Sequence, residues 1–222
     1  MKGIGILLLL ILLSALPAVI VFFLLRLKKS ALTLPWFMLS LAAGIVSFLI
    51  AALIHDILIP GGNSSSWPVF FTVFIRIALV EETSRLATII PFLKICKNPQ
   101  HRDNAFGAAL GLAAGLGFAF IETAYYGITN INLTVLRSFT AAPLHGACGI
   151  RAGTAVFTAR HYPLKALFLF VSAVLIHGAY NLVLVSPFHP SFLAIIISLS
   201  SLFASLGHLR AADKGEEAID KI

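Results

Sequence analysis

The sequence predicts an all-α protein, a polytopic bundle of transmembrane helices. Of its 222 residues 59% are hydrophobic and only 11% are charged, and the mean hydropathy is +0.98. A soluble domain is about half apolar and about a quarter charged, so this composition excludes a water-soluble globule and a disordered chain. The apolar stretches are long, and none shows the short alternating strands of an outer-membrane barrel.

The number of spans follows from the thickness of the bilayer. A hydrocarbon core of about 30 Å requires about 20 apolar residues per helix. On this criterion we expect about seven spans, and we interpret residues 1–222 as a single integral-membrane domain. The predicted spans are 3–25, 34–59, 68–95, 105–127, 137–158, 164–186 and 192–209.

The loops between the spans alternate in charge. The first loop contains Arg26, Lys28 and Lys29, whereas the second, residues 60–67, has no Lys or Arg. Loops rich in Lys and Arg stay in the cytoplasm, so we expect the N-terminus outside and residues 210–222 as a short cytoplasmic tail. Since the basic residues lie in short gaps rather than on one exposed face, we expect the lipid bilayer as a partner and no nucleic acid.

The cysteines do not suggest a metal site. Cys96 and Cys148 have neither paired metal-ligand spacing nor a disulfide framework. We interpret both as small apolar side chains in helix packing.

Charged residues in the third span are the first indication of function. A charge deep in a bilayer costs at least a few kcal/mol, about 2.5 to 3.5 on insertion scales. Glu81 and Glu82 lie near the middle of this span, and Arg85 follows one helical turn later. We expect Arg85 to neutralise one carboxylate, which leaves the other for a different partner.

The fourth span combines a packing face with a carboxylate. Gly107, Gly111 and Gly115 recur every four residues, a spacing that lets a neighbouring backbone approach closely. Glu122 lies about two turns beyond Gly115 and therefore on the same face. We expect Glu122 to point into the bundle.

The fifth and sixth spans add His145, and then His177 with Asn181 one turn later. Span limits place these groups in the outer half of the bilayer, so a shared site would open to the extracytoplasmic side. We therefore predict a catalytic core over residues 68–186, spans three to six. Arg151, in the fifth span, has no assigned partner; pairing with a carboxylate would explain it.

These side chains suit the activation of water. A buried carboxylate can act as general base near neutral pH, and His177 and Asn181 can donate to an oxyanion. Alternatively, Glu and His side chains hold a divalent metal. The HExxH arrangement is absent, and Ser84 has no evident base for nucleophilic catalysis.

The ordered motifs resemble those of the PrsW family of intramembrane proteases, which is related to the CAAX prenyl protease and bacteriocin-immunity superfamily. The matching segments are Glu81-Glu82-Thr83-Ser84-Arg85, Phe118-Ala119-Phe120-Ile121-Glu122, His145 and His177-Gly178-Ala179-Tyr180-Asn181. Arg85 stands where PrsW proteins often have Lys, and Asn181 where some have Asp. The acidic Glu122 favours PrsW over the CAAX branch, in which His is expected.

The resemblance implies roles for these residues. Glu81 and Glu82 become the catalytic carboxylates, Glu122 and His145 supporting or metal-binding groups, and His177 with Asn181 the oxyanion or ligand set. Arg85 and Phe118 are supporting residues. A zinc ion on Glu122, His145 and His177 is the implied cofactor, although glutamate-type catalysis without metal stays open.

The resemblance also implies a substrate and a location. PrsW-like proteins perform site-one cleavage of membrane-anchored anti-sigma factors at the extracytoplasmic face of a prokaryotic cell membrane. Two other interpretations stay open on the residues alone. One is a proton-coupled transporter, although the two halves show no internal repeat; the other is a CAAX-protease-like or bacteriocin-immunity membrane protein, the latter catalytically idle.

Overall fold

The computed structural model describes residues 2–28, 30–58, 68–96, 103–187 and 191–209. These residues form helices and no β-strand, which confirms the all-α prediction. The helices are α1 (Lys2–Leu27), α2 (Leu34–Leu58), α3 (Val69–Phe71), a π-helix (Thr72–Leu79), α4 (Val80–Ile89), α5 (Phe92–Ile95), α6 (Asn104–Gly127), α7 (Ile131–Phe139), α8 (Ala141–Thr158), α9 (Pro163–Val185), α10 (Ser191–Ser205) and a 3-10 helix (Leu206–Leu209).

Five of the predicted spans are present as single long apolar helices within the described residues. They correspond to the first, second, fourth, sixth and seventh predicted spans. Their bounds are Ile4–Leu27, Leu34–Ile57, Asn104–Gly127, Pro163–Val185 and Phe192–Leu209.

The third and fifth predicted spans are divided. The third is helical from Val69 to Ile89 but changes from π to α geometry, and it is interrupted at Pro91, which has no N–H to donate. The fifth is divided at Thr140, which separates α7 from α8. Pro143 then lies in the first turn of α8, where a missing N–H is tolerated.

Helices α6 and α8 form the centre of the bundle, in contact through their backbones. A Cβ atom added to Gly111 would overlap the carbonyl oxygen of Gly149, and one added to Gly149 would overlap that of Gly111. Gly115 meets the carbonyl oxygen of His145 in the same way. The close backbone approach predicted for the glycine stripe is therefore confirmed. This contact fixes α8 against α6 beside His145.

Helix α2 packs against another face of α6 with similar closeness, which the sequence analysis did not foresee. Gly44 lies against the carbonyl oxygen of Ala114, and Gly117 against that of Leu41. Because two faces of α6 are covered this tightly, most of its residues are buried.

The outer helices expose large apolar side chains. Phe23 on α1, Leu53 on α2 and Phe168 on α9 are each more than half exposed. In water such a surface would be unfavourable, whereas lipid chains would cover it. The bundle therefore has a polar-containing interior and an apolar exterior, as a membrane requires.

Arg151 joins α8 to α10. Its guanidinium donates to the hydroxyl of Ser205 and, at 3.3 Å, to the carbonyl oxygen of Ser201. The pairing with a carboxylate that we considered is not what the structure shows. Cys96 and Cys148 are buried and are not joined in a disulfide within the described residues, in agreement with a packing role.

The backbone contact between α6 and α8 gives a prediction for stability. In Gly111→Ala the added methyl group must displace the α8 backbone, so we expect a loss of about 1 to 3 kcal/mol. The measurement is the thermal unfolding temperature of the detergent-solubilised protein. Gly5→Ala is the matched control, since nothing lies within 4 Å of a Cβ at that position. Equal unfolding temperatures for both variants would contradict the contact.

Candidate active site

Five of the six side chains predicted as catalytic lie in one cluster. Glu81 and Glu82 come from α4, Glu122 from α6, His145 from α8 and His177 from α9. Hydrogen bonds and ion pairs connect them directly or through one arginine. Four helices that are distant in sequence thus bring their polar groups to one place.

The ion pair between Glu82 and Arg85 lies at the centre of the cluster. Arg85 Nη1 donates to Glu82 Oε2 across one helical turn, and both side chains are fully buried. The expectation that Arg85 neutralises one of the two carboxylates is therefore confirmed, and that carboxylate is Glu82.

His177 lies between the two glutamates of α4. Its Nδ1 donates to Glu82 Oε1 at 2.8 Å, while its Nε2 is 3.5 Å from Glu81 Oε2. A carboxylate paired with arginine can only accept, so a neutral His177 ring carries its hydrogen on Nδ1. In that tautomer the lone pair of Nε2 faces Glu81, whose Oε2 is buried without a hydrogen-bond partner among the described residues. The contact between Nε2 and Glu81 is an ion pair only when the ring is protonated.

His145 bridges the central ion pair and Glu122. Arg85 Nη2 donates to His145 Nδ1 at 3.1 Å, and His145 Nε2 is 2.7 Å from Glu122 Oε2. Since arginine has no acceptor, Nδ1 must accept, and the ring hydrogen is assigned to Nε2. The two histidines therefore carry their hydrogens on different nitrogens, each facing a carboxylate.

Phe118 supports this arrangement from α6. Its ring lies 4.8 Å from the guanidinium carbon of Arg85 and 4.8 Å from the ring of His145, measured to the ring centroids. The rings of His145 and His177 are 5.0 Å apart and nearly perpendicular. The aromatic contacts restrict how far either imidazole can turn.

Arg137 is a member of the cluster that sequence reasoning missed. Its Nη2 is 2.6 Å from Glu122 Oε2, and its guanidinium carbon lies 4.5 Å from the centroid of the Tyr126 ring. Arg137 is the first residue of the predicted fifth span, where we assigned it no role, whereas the structure places it in α7. The sequence signal that could have identified this helix is Asn130, which caps it by accepting from Asn132 N at 3.0 Å.

The cluster is closed at one end and open at the other. The side chains of Glu82 and Arg85 are not exposed at all, whereas those of Glu81, Glu122 and Arg137 are 9%, 13% and 12% exposed. A cleft of about 350 Å³ is lined by Tyr125, Tyr126, Ile128 and Thr129. Tyr126, whose ring also contacts Arg137, lines this cleft, whereas no carboxylate or imidazole of the cluster lines it.

Asn181 is the predicted residue that does not join the cluster. It lies one turn beyond His177 on α9 and is partly buried. No hydrogen bond links it to the carboxylates or imidazoles of the described residues, so its role stays a prediction. Ser84, buried on α4, likewise has no partner for its hydroxyl there, in line with the absence of a base for a serine nucleophile.

The geometry gathers a set of metal donors that differs from the predicted one. Glu81, His145 and His177 each offer one donor atom, and these atoms lie within 4.8 Å of one another. Glu122, which we had placed in the set, is instead engaged by Arg137 and His145. Two imidazoles and one carboxylate are a ligand set typical of catalytic zinc, which keeps a fourth position open.

These residues fit a divalent metal. Glu81 Oε2 has no hydrogen bond, and the lone pair of His177 Nε2 faces it. His145 would supply a nitrogen that is now hydrogen-bonded to Arg85 or Glu122. Glu82 and Glu122 accept from the histidines as the carboxylate partners of metal-binding imidazoles commonly do.

An all-helical bundle with an apolar exterior and a buried Glu–His centre defines a class of membrane-embedded hydrolases. Residues 32–206 match the family model described as PrsW family intramembrane metalloprotease, and the chain belongs to this family. No curated protein and no solved structure matches the chain.

Family membership identifies the class of reaction that the protein performs. The protein is an intramembrane protease, a hydrolase that spans the membrane several times and acts on a membrane-embedded protein. The sequence interpretation as a PrsW protease is confirmed, and the transporter and immunity-protein alternatives have no comparable support.

The donor set predicts how the protein responds to changes in its ligands. We expect purified protein to bind a single zinc ion per chain, measured by elemental analysis after dialysis against a weak chelator. Glu81→Gln and His177→Gln should lose the ion, because each removes a donor. Glu122→Gln should keep it with an affinity lower by about tenfold to hundredfold, since Glu122 acts only through His145.

The same measurement can contradict this assignment. Loss of the ion in Glu122→Gln together with full retention in Glu81→Gln would restore the ligand set predicted from the sequence.

Proposed function

We propose that this protease cleaves membrane-anchored proteins near the extracytoplasmic face of a prokaryotic cell membrane, as in site-one cleavage of an anti-sigma factor. The observation that carries the proposal is the uncommitted Glu81 carboxylate beside His177. All other carboxylates of the cluster are held by arginine and histidine. The Oε2 atom of Glu81 is buried and has no hydrogen-bond partner among the described residues, so it keeps the capacity to accept a hydrogen bond from a reacting water.

Glu81, His145 and His177 are the residues that would hold the metal. When bound, a zinc ion at this position activates water and polarises the scissile carbonyl group. Glu82, held by Arg85, orients His177 through Nδ1, and Glu122 orients His145 through Nε2.

Glu81 is the proton acceptor in our proposal. As general base, the Glu81 carboxylate would accept one proton of the attacking water and become a carboxylic acid. The same carboxyl group then protonates the departing amine. This role for Glu81 holds for both glutamate-type and metal-assisted hydrolysis.

Asn181 is proposed as the donor to the oxyanion that forms at the carbonyl carbon. His177 suits this role less well, because its ring hydrogen is committed to Glu82 and its Nε2 can only accept. The side-chain amide of Asn181 has two N–H donors, and it lies one turn along α9 from His177.

The proposed topology has seven spans with the N-terminus outside, which places the open end of the cluster toward the extracytoplasmic side. The test is labelling of single cysteines, introduced in a Cys96→Ser/Cys148→Ser background, with a membrane-impermeant maleimide on intact cells. We expect labelling of Ser65→Cys and none of Gln100→Cys. The reverse pattern would invert the topology and move the cleavage site to the cytoplasmic side.

The activity itself is tested by Glu81→Gln in proteoliposomes that contain a single-span anti-sigma-like substrate. We expect kcat to fall by about 10² to 10⁴-fold, the usual contribution of a general base, at an unchanged protein level. Cleavage is followed on gels, and the cut position is identified by mass spectrometry. Asp56→Asn, at the exposed end of α2, is the charge-matched control. Wild-type-like cleavage by Glu81→Gln would overturn the proposal.

A further inference from the structure

We propose that Arg137 is a positioning residue of the active centre, which holds Glu122 in the orientation that fixes the ring of His145. This inference rests on the proposed function for its kinetic consequence, but its structural consequence can be measured without activity. It starts from the shared oxygen of Glu122. Oε2 lies 2.6 Å from Arg137 Nη2 and 2.7 Å from His145 Nε2.

The guanidinium of Arg137 is itself held in place. Its carbon lies 4.5 Å from the centroid of the Tyr126 ring, on the last turns of α6. The guanidinium of Arg137 is always charged and can only donate hydrogen bonds. In the contact between the two side chains, Arg137 is therefore always the donor and Glu122 the acceptor. The Tyr126 ring and the Glu122 carboxylate therefore both hold the guanidinium against α6.

Without Arg137, Glu122 would have one partner instead of two. The side chain of Glu122 is at the open end of the cluster and is 13% exposed, so it can turn outward to water. His145 would then lose the acceptor for its Nε2–H. Arg85 donates a hydrogen bond to His145 Nδ1. If the ring turned, or if its hydrogen moved to Nδ1, this contact with the central ion pair would also be disturbed.

The position of α7 does not depend on this arginine. Ser138 Oγ donates to the carbonyl oxygen of Leu13 at 3.2 Å, and Tyr180 donates to Thr140 Oγ1 at 3.0 Å. These bonds tie the end of α7 to α1 and α9. A change at position 137 should therefore act on Glu122 and leave the helix in place.

The first experiment reads the tautomer of His145 directly. Wild type, Arg137→Gln and Arg137→Lys are labelled with ¹⁵N-histidine in detergent, and the His145 signals are assigned with His145→Gln. We expect the hydrogen on Nε2 alone in wild type, a mixture of tautomers in Arg137→Gln and partial recovery in Arg137→Lys. Arg160→Gln, which removes an exposed arginine just beyond α8, should match wild type.

The second experiment measures cleavage of the same single-span substrate. We expect Arg137→Gln to lower kcat by about tenfold to hundredfold, as loss of a group that orients a site histidine does, with KM changed by less than about twofold. Arg137→Gln/Glu122→Gln should be no slower than Glu122→Gln alone, because both changes break one chain of contacts.

Two results would overturn the inference: an unchanged His145 tautomer in Arg137→Gln, or a double variant whose loss is the product of the single losses. The experiments also separate this inference from the proposed function. If wild type cleaves no substrate, the proposed function fails, while the ¹⁵N spectra still decide whether Arg137 positions His145.

Discussion

The buried ion pair between Glu82 and Arg85 is the interaction on which the site depends. Removing one partner of such a pair leaves a charge in a low-dielectric interior, which costs about 3 to 5 kcal/mol in soluble proteins. Here the two residues lie one turn apart on α4, so the pair needs no contact from another helix to form. Glu82 then binds His177, and Arg85 binds His145. The pair thus connects α4 to α8 and α9 while it satisfies its own charges.

The site also depends on backbone contact between helices, because the hydrogen bonds that join its side chains across helices require those helices to lie at fixed distances. Gly115 on α6 lies against the carbonyl oxygen of His145 on α8. Two turns further along α6, Glu122 reaches the ring of that same histidine. A larger side chain at Gly115 would move α8 away and lengthen this contact. The glycine stripe therefore positions Glu122 and His145 relative to each other as well as packing the bundle.

Much of this arrangement could be predicted from residue spacing within single helices. The pairing of Arg85 with one glutamate and the inward face of Glu122 both follow from the helical repeat. What the repeat cannot supply is which groups meet across helices. Glu81 rather than Glu122 joins the two histidines as a potential metal donor, because Arg137 occupies Glu122. A hydropathy window assigns residues 131–139 to a loop or to a span, and not to a short separate helix. The role of Arg137 was missed for this reason.

The distribution of hydrogen bonds restricts where chemistry can start. Glu82, Glu122 and Arg85 each have at least two polar partners, and both ring nitrogens of His145 are bonded. Glu81 Oε2, in contrast, has no hydrogen-bond partner among the described residues, and it faces His177 Nε2 at 3.5 Å. Glu81 is also at the open end of the cluster, whereas the ion pair is at the closed end. The side chains of Glu81, Glu122 and Arg137 are all partly exposed at the open end, so a substrate entering there would meet these three groups before the buried ion pair of Glu82 and Arg85. The network thus separates the carboxylate proposed to react, Glu81, from the groups that hold the two histidines in their orientations.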